Sequence, residues 1–358
     1  MKDAITDANF PRTADGRVYH LGLRFGEVAN RIITVGSPSR AISISTLFDG
    51  YSESDPSSGN IFRLSTERGF LTITGRYKGV PVSIVSIGMG YPSMDFFVRE
   101  VRECVRGDMV VVRLGSCGGL SKVPVGSLVV PTSSVAVRRN YDFDFSGESG
   151  TPGEDSPYLV SKPAFADAEL HAALAAALRD AQASLTDLSV NVATDTVNAS
   201  ADSFYSSQGR QTSFPDKNET LIDQLLSTIP KLATFEMETF HLLHLASCWR
   251  PQSTNTALED NTQTPLTIPP SHLPATPAIE TSPSTQPPPT SSVSASPRIR
   301  AAAVQMIFAN RVTQDFITPD AVKATEAWSG RAVLEALAAF SIPSENLHEE
   351  SGSVWENK

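Results

Sequence analysis

The sequence predicts an α/β protein, one domain built around a largely central sheet. Three observations predict it. Short apolar runs of strand length alternate with amphipathic helical stretches along most of the 358 residues. The run Val110–Leu114 is so rich in β-branched residues that it reads as a strand buried on both faces. The alternation is broken by one tract alone, 251–297, which is too polar to form a second core.

Taken in order, residues 1–17 are polar and read as a flexible N-terminal arm. Arg31–Val35 is a short strand, followed by Gly36-Ser37-Pro38-Ser39-Arg40 and a helix over Ala41–Phe48. Phe70–Arg76 and Val80–Ile87, joined by Lys78-Gly79, form a hairpin. Gly88-Met89-Gly90-Tyr91-Pro92-Ser93 opens a helix reaching about Arg106. The Val110–Leu114 strand comes next, with two more near Ser127–Pro131 and Ser134–Arg138. Pro163–Gln182 is an alanine-rich helix with Leu170, Leu174 and Leu178 at four-residue spacing, and Leu188–Thr194 is a strand. Thr234–Cys248 starts as a strand or turn and becomes a helix; Arg300–Phe308 is a strand and Pro319–Phe340 the last long helix. The tract 251–297 holds eleven of the 25 prolines and reads as a disordered Pro/Ser/Thr-rich insertion. The domain is therefore expected over 18–250 and 298–342, with a flexible tail over 343–358.

Composition excludes several classes. A net charge of −10 and scattered basic residues argue against a nucleic-acid partner. Apolar runs stay below membrane-spanning length, and Met1–Arg17 is too polar for a signal peptide, so no membrane is expected. Cys104, Cys117 and Cys248 have neither metal nor disulfide spacing, which suits a cytoplasmic protein. His241 and His244 lack the glutamate of a metalloprotease helix, and no metal site is expected.

Four stretches carry chemistry. The Val110 strand runs through Arg113 into Gly115-Ser116-Cys117-Gly118-Gly119. Read as a turn, this stretch gathers backbone N–H groups, the Ser116 hydroxyl and a guanidinium, the equipment for holding a phosphate-sized anion. A buried strand entering a structural turn is the alternative. Gly36 to Arg40 repeats the arrangement, and Arg68 supplies a third cation; guanidinium donors match oxyanions bidentately, although each arginine taken singly also suits a surface ion pair. Gln208 and Arg210, behind Phe204, can read a planar ring bearing carbonyls and an imide N–H. Phe235-Glu236-Met237-Glu238 sets two carboxylates before a helix. A carboxylate there can accept from a vicinal diol, the pair could serve glycosidase acid–base work, or both could simply face water at a helix start.

Together and in this order, these pieces resemble the nucleoside phosphorylase-I family, closest to its uridine phosphorylases. The resemblance runs from about Tyr19 to Leu337 outside the insertion. It is carried by His20-Leu21-Gly22-Leu23, Gly36 to Arg40, Arg68, Gly88 to Ser93, Arg113 to Ser116, Phe204 to Arg210, Glu236 to Glu238 and Asn310-Arg311. It implies a three-layer domain with a mixed, partly barrel-like sheet of the phosphorylase/hydrolase-like kind. It implies a phosphate pocket of Gly36, Arg40, Arg113 and Ser116, with Arg68 given across a dimer interface. It implies a ribose site of Met237, Glu238 and Ser116, with His20 reaching the neighbouring protomer's sugar. Gln208 and Arg210 would bind uracil, with Phe204, Phe235, Phe308 and Arg311 around it.

The activity so implied is reversible phosphorolysis of uridine, with Arg113, Gln208, Arg210 and Glu238 carrying catalysis. Phosphate is the co-substrate and no cofactor is implied. Another nucleoside, or a non-catalytic nucleoside-binding role, is the alternative. Asn310-Arg311 stands where purine-specific members carry an aspartate acid, and Gly69 stands where bacterial uridine phosphorylases place a glutamate on potassium, so a potassium site is not expected. A dimer-based oligomer, by resemblance a hexamer, is implied. Tyr91 replaces a glycine and is expected to narrow the pocket, whereas Cys117 has no nearby histidine and reads as packing.

Overall fold

A computed structural model describes residues 5–55, 60–120, 122–146, 156–185, 190–251 and 296–356. The insertion expected over 251–297 falls almost entirely outside them.

The chain begins with a small antiparallel pair, β1 (Ile5–Thr6) and β2 (Arg12–Thr13). The first half of the main sheet follows: β3 (Arg31–Val35), α1 (Pro38–Ser45), β4 (Phe62–Ser65), β5 (Leu71–Tyr77), β6 (Val80–Ser86) and α2 (Tyr91–Arg102). Next come β7 (Met109–Gly119), β8 (Leu128–Val129), β9 (Ser133–Arg139), β10 (Tyr158–Val160), β11 (Ala164–Phe165) and α3 (Ala168–Ala183). The last elements are β12 (Val192–Ala193), β13 (Val197–Ala201), α4 (Leu221–Thr228), β14 (Leu232–Glu236), α5 (Thr239–Cys248), β15 (Ile299–Asn310) and α6 (Pro319–Ala339). The mixed sheet runs β10-β9-β13-β14-β7-β3-β6-β5-β4, with β15 paired to β7 and β8 paired in turn to β15. Among the described residues it does not close into a barrel; β10 and β4 end this path.

The layers follow from alternation along β7. Val110, Val112 and Leu114 enter a core formed with α3 and α6, whereas Met109 and Val111 enter one formed with α2 and α5. All five are fully buried. Full burial of a Val, Leu or Met side chain contributes about 1.5–3 kcal/mol, so this short run anchors both sides of the sheet. The same alternation puts Arg113 on the α2/α5 face, where an arginine requires a partner.

The glycine-rich stretch corrects the sequence reading. Gly115–Gly119 is not a turn: β7 continues through it, pairing with β15 along its length. On its other edge β7 pairs with β3 as far as Arg113 and with β14 only from Gly118. The glycines let the strand pass between two differently directed neighbours without side chains to collide; a Cβ at Gly119 would sit 3.1 Å from Ile307. Between those pairings, the edge from Leu114 to Cys117 is open. Beside it lie the loops after the parallel strands β3 and β6, where open α/β sheets place their ligands. These loops are tied together, Gly88 N–H donating to the Gly36 carbonyl at 3.1 Å.

Other differences have local causes. α1 starts at Pro38, three residues before the expected Ala41, because Ser37 caps it and proline suits a first turn. Residues 5–17, expected as a loose arm, are tied to the domain by Arg17, whose guanidinium donates to both oxygens of Glu27 at 2.8 Å. Residues 343–356, expected as a tail, pack back on the domain. Trp355 is buried, and the Asn30 amide donates to the Asp108 carbonyl while its oxygen accepts from the His348 N–H. No helix among the described residues is long and apolar enough to cross a membrane.

Candidate active site

A cleft of about 450 Å3 opens at that free edge of β7. Gly36, Arg40, Arg113, Ser116, Phe204, Phe235, Phe308, Gln208, Arg210, Met237 and Glu238 line it. Eleven positions scattered over 270 residues of sequence are thus brought to one cavity. His20, Arg68 and Arg311 are not part of its lining.

Arg113 is the centre of the cation-bearing part. It is buried, and its Nη2 donates to Glu238 Oε2 at 3.0 Å, while Nε and Nη1 have no acceptor. Buried guanidinium donors are rarely left unmet, so this pair of N–H groups points to an oxyanion. Gly36 and Gly115 make the room: Cβ atoms there would lie 3.7 Å from Nη2 and 3.4 Å from Nε. Arg40, in the first turn of α1, donates from Nε to Glu326 Oε1 at 2.8 Å and from Nη1 to the Leu114 carbonyl at 3.3 Å. Burial pulls its guanidinium below the ordinary value, and Glu326 opposes that shift. The Ser116 hydroxyl joins the two arginines in the lining.

The two carboxylates after Phe235 divide their work, which the sequence left open. Glu236 is committed to structure. One oxygen accepts from the Asn198 amide at 2.7 Å and from the Ser200 hydroxyl, and the other from the N–H groups of Glu238 and Thr239 at 2.8 and 2.9 Å. Burial raises its carboxyl above the usual range, and the nearby Glu238 charge adds to that. Thr234, Gln305 and Ser134 extend this buried network beneath the α5 N-terminus. Both carboxylates reach the cleft lining, but the Glu238 carboxylate lies outside that network, its Oε1 accepting from the Gly90 N–H at 2.5 Å and its Oε2 from Arg113 at 3.0 Å. Gly90 has φ +90, a conformation that side chains rarely adopt, and its missing Cβ leaves 4.0 Å to the Met237 methyl.

A separate part of the lining sets an amide, a guanidinium and an aromatic ring side by side, an arrangement able to take a flat, polar ring. Gln208 is buried in a single 3-10 turn, and its Oε1 accepts from Arg210 Nη1 at 2.6 Å. The Arg210 guanidinium also donates to the Phe204 carbonyl and stacks 3.7 Å from the centre of the Phe204 ring. Burial, then Arg311, lowers the Arg210 pKa to about 10. Gly209 joins the pair at φ +65, where a Cβ would meet Ile222 at 3.1 Å. Phe308 reaches the cleft through a bulge: Ile307 and Ala309 oppose consecutive residues of β7, so Phe308 is the extra residue.

Arg311 supports this loop from behind. Its Nη1 and Nη2 donate to the carbonyls of Gln208 and Gly209 at 3.1 and 3.2 Å, which corrects its expected place in the base-binding lining. Asn310 accepts from the N–H groups of Val312 and Thr313 and donates to the Val123 carbonyl, so it is spent on the turn. Tyr91 does not narrow the cleft. Its hydroxyl donates to the Ser200 carbonyl at 2.6 Å, its ring stacks on His241, and burial raises its pKa. Cys117 lines the cleft, yet burial holds its thiol well above the ordinary pKa and its Sγ donates to the Met306 carbonyl at 3.5 Å. Sequence reasoning gave no site role to Met89 or the exposed Phe316, also in the lining; Met89 sits inside the Gly88–Ser93 motif, whereas Phe316 belongs to none.

His20 and Arg68 meet elsewhere. Arg68 lies 4.3 Å over the Tyr19 ring, which packs edge-on against His20. His20 Nδ1 lies 2.6 Å from Glu100 Oε1, and its ring stacks on Phe96 at 3.8 Å. The histidine is held rigidly with Nε2 turned away from the carboxylate.

Comparison with known proteins identifies the family. Residues 30–250 match the phosphorylase superfamily. A uridine phosphorylase of Thermococcus kodakarensis is 30% identical over 254 residues, 70% of this chain and 79% of that protein. A DeoD-type purine nucleoside phosphorylase of Photorhabdus laumondii is 32% identical over 133 residues, 36% of this chain and 52% of that protein. Among solved structures, one from work on two uridine phosphorylases of the oomycete Phytophthora capsici has a TM-score of 0.73. It is 35% identical and covers 95% of this chain and all of its own.

Proposed function

The chain belongs to the phosphorylase superfamily, and on that premise we propose that it catalyses the reversible phosphorolysis of uridine to uracil and ribose 1-phosphate. The observation that carries the proposal is one cleft holding both unmet guanidinium donors of Arg113 and the Gln208–Arg210 pair, with Glu238 in the same lining. Inorganic phosphate fits the donors of Arg113 and Arg40 and the Ser116 hydroxyl. Glu238 accepts from the ribose hydroxyls and Met237 packs beneath the sugar. Gln208 and Arg210 take the uracil carbonyls and N3, with Phe204, Phe235 and Phe308 as walls. The relatives in Thermococcus and Phytophthora support this choice of base. So does Asn310, whose amide is consumed in a turn and has no acidic proton for a purine ring.

In this scheme the C–N bond stretches first. The bonding pair moves into the uracil ring, where negative charge grows on its carbonyl oxygens and Arg210 meets it. The sugar becomes oxocarbenium-like, and phosphate, held beneath C1′, bonds to it as the base leaves. Positioning and charge do the work, so no nucleophilic side chain is needed. His20 and Arg68, gathered around Tyr19 outside the cleft, serve a second protomer's site, His20 at the ribose 5′-hydroxyl and Arg68 at phosphate. A dimer is then the minimal active unit.

The test is a panel of uridine, deoxyuridine, thymidine and inosine, each with phosphate, read as free base released. Uridine is expected to give the highest kcat/KM. Inosine turned over faster than uridine would replace this reading with a purine one.

A further inference from the structure

A second cavity, of about 470 Å3, lies between α1, α3 and α6. This is within the ordinary size range of small-molecule sites. Leu47, Leu185, Ala324 and Ala327 give it an apolar wall. Two residues of its lining carry donors that meet no acceptor among the described residues. Trp328 is only 8% exposed, and its Nε1 is buried with no hydrogen-bond partner. An indole N–H can only donate, and a buried donor left alone is uncommon in a folded protein. One turn on, Arg331 is exposed at the lining, and no hydrogen bond holds its guanidinium among the described residues; its charge acts on Glu335 and Tyr77, outside the lining. The hydroxyls of Thr46 and Ser184 already donate to the carbonyls of Ser43 and Ala181. The remaining charged group in the lining, Glu326, spends an oxygen on Arg40 of the cleft. The cavity therefore presents a greasy wall, a buried donor, a cation, and one carboxylate whose charge is already met.

We propose that this cavity is a second small-molecule site, taking a compact apolar carboxylate. The ligand's oxygens accept from Trp328 Nε1 and Arg331 while its hydrocarbon body lies on Leu47, Leu185 and Ala324. Its occupancy reaches the cleft through Glu326. A further negative charge beside Glu326 drives that carboxylate onto Arg40 and weakens phosphate binding there. The coupling rests on the phosphate reading above; the binding site does not.

The test uses the full chain, without nucleoside, and 4-phenylbutyrate as the probe, with 4-phenylbutanol as its neutral counterpart. Calorimetry is expected to show one saturable site per chain for the acid and weaker binding of the alcohol. Trp328→Phe and Arg331→Ala are each expected to weaken the acid about tenfold, the loss of about 1.4 kcal/mol, while both variants retain uridine turnover without the probe. Saturating probe is expected to raise the Kd for phosphate about fivefold, and phosphate to raise that of the probe equally, since coupling is reciprocal. Glu326→Gln is expected to bind the probe yet lose the coupling. Absence of saturable binding, or binding that both Trp328→Phe and Arg331→Ala leave unchanged, would overturn the site. Probe binding that leaves phosphate affinity unaltered would overturn the coupling. A chain that binds the probe and never binds phosphate contradicts the proposed function instead.

Discussion

Replacing Arg210 with alanine separates reading of the base from binding of phosphate. The Arg210 guanidinium is held in place before any substrate arrives, by the Gln208 side-chain oxygen, the Phe204 carbonyl and the Phe204 ring. Loss of one such preorganised donor facing a developing oxyanion costs about 2.7–4 kcal/mol of transition-state stabilisation, a fall of about 100- to 1,000-fold in kcat. The fold should tolerate the change. Arg210 is half-buried, and truncation frees the Gln208 oxygen and a backbone carbonyl near the cleft mouth, about 1–2 kcal/mol of stability. Phosphate affinity should be unaltered, because Arg210 makes no hydrogen bond to Arg40, Arg113 or Ser116. The assay is steady-state release of uracil at saturating phosphate, with calorimetric binding of phosphate alone. Near-normal uridine turnover in Arg210→Ala would refute the assignment of this residue to the base. A parallel loss of phosphate binding would refute the separation of the two sets of residues.

Three further outcomes follow from the geometry. Glu238→Gln keeps an acceptor for Gly90 but loses the charge opposite Arg113; kcat/KM for uridine should fall by about 10- to 100-fold, the worth of a hydrogen bond to a charged group. Deoxyuridine, lacking one of the hydroxyls it would hold, should suffer less. Gly209→Ala places a Cβ at φ +65 and 3.1 Å from Ile222, so it should raise KM for uridine while KM for phosphate stays constant. His348 carries a pH dependence of stability. Burial holds its imidazole down at about 4, against an ordinary value of 6.5, so the unfolded chain binds the extra proton between those limits. Stability is full above pH 6.5 and falls as pH drops toward 4, by about 1–3 kcal/mol. A His348→Gln variant should show a flatter acid limb in thermal melts over pH 4 to 7.

Most of the sheet was legible in the sequence for a local reason, and eleven positions of the cleft lining were named from motifs together with the family resemblance. Strand runs such as Val110–Leu114 and Arg31–Val35 announce themselves by composition. Arginines following strands that enter glycines sit where backbone approaches a ligand. What was hidden depends on contacts far apart in the chain. Glycines at 115–119 look like a turn, but a strand with two successive neighbours on one edge needs the same absence of side chains. Glu236 and Glu238 are equivalent in a motif, and only the Asn198 and Ser200 partners from a different strand make one structural. Arg311 carries the right charge for the base but spends its donors on carbonyls 102 and 103 residues earlier. Residues 343–356 look like a polar tail because their anchors, Asn30 and Asp108, lie more than 200 residues away.

The most direct measurement is uracil release from uridine by the purified protein, with and without inorganic phosphate, alongside quantification of ribose 1-phosphate. The account predicts release that requires phosphate and yields one ribose 1-phosphate per uracil, with the reverse synthesis running from the two products. Release of uracil with free ribose in the absence of phosphate would contradict it, as would uridine left intact at every phosphate concentration.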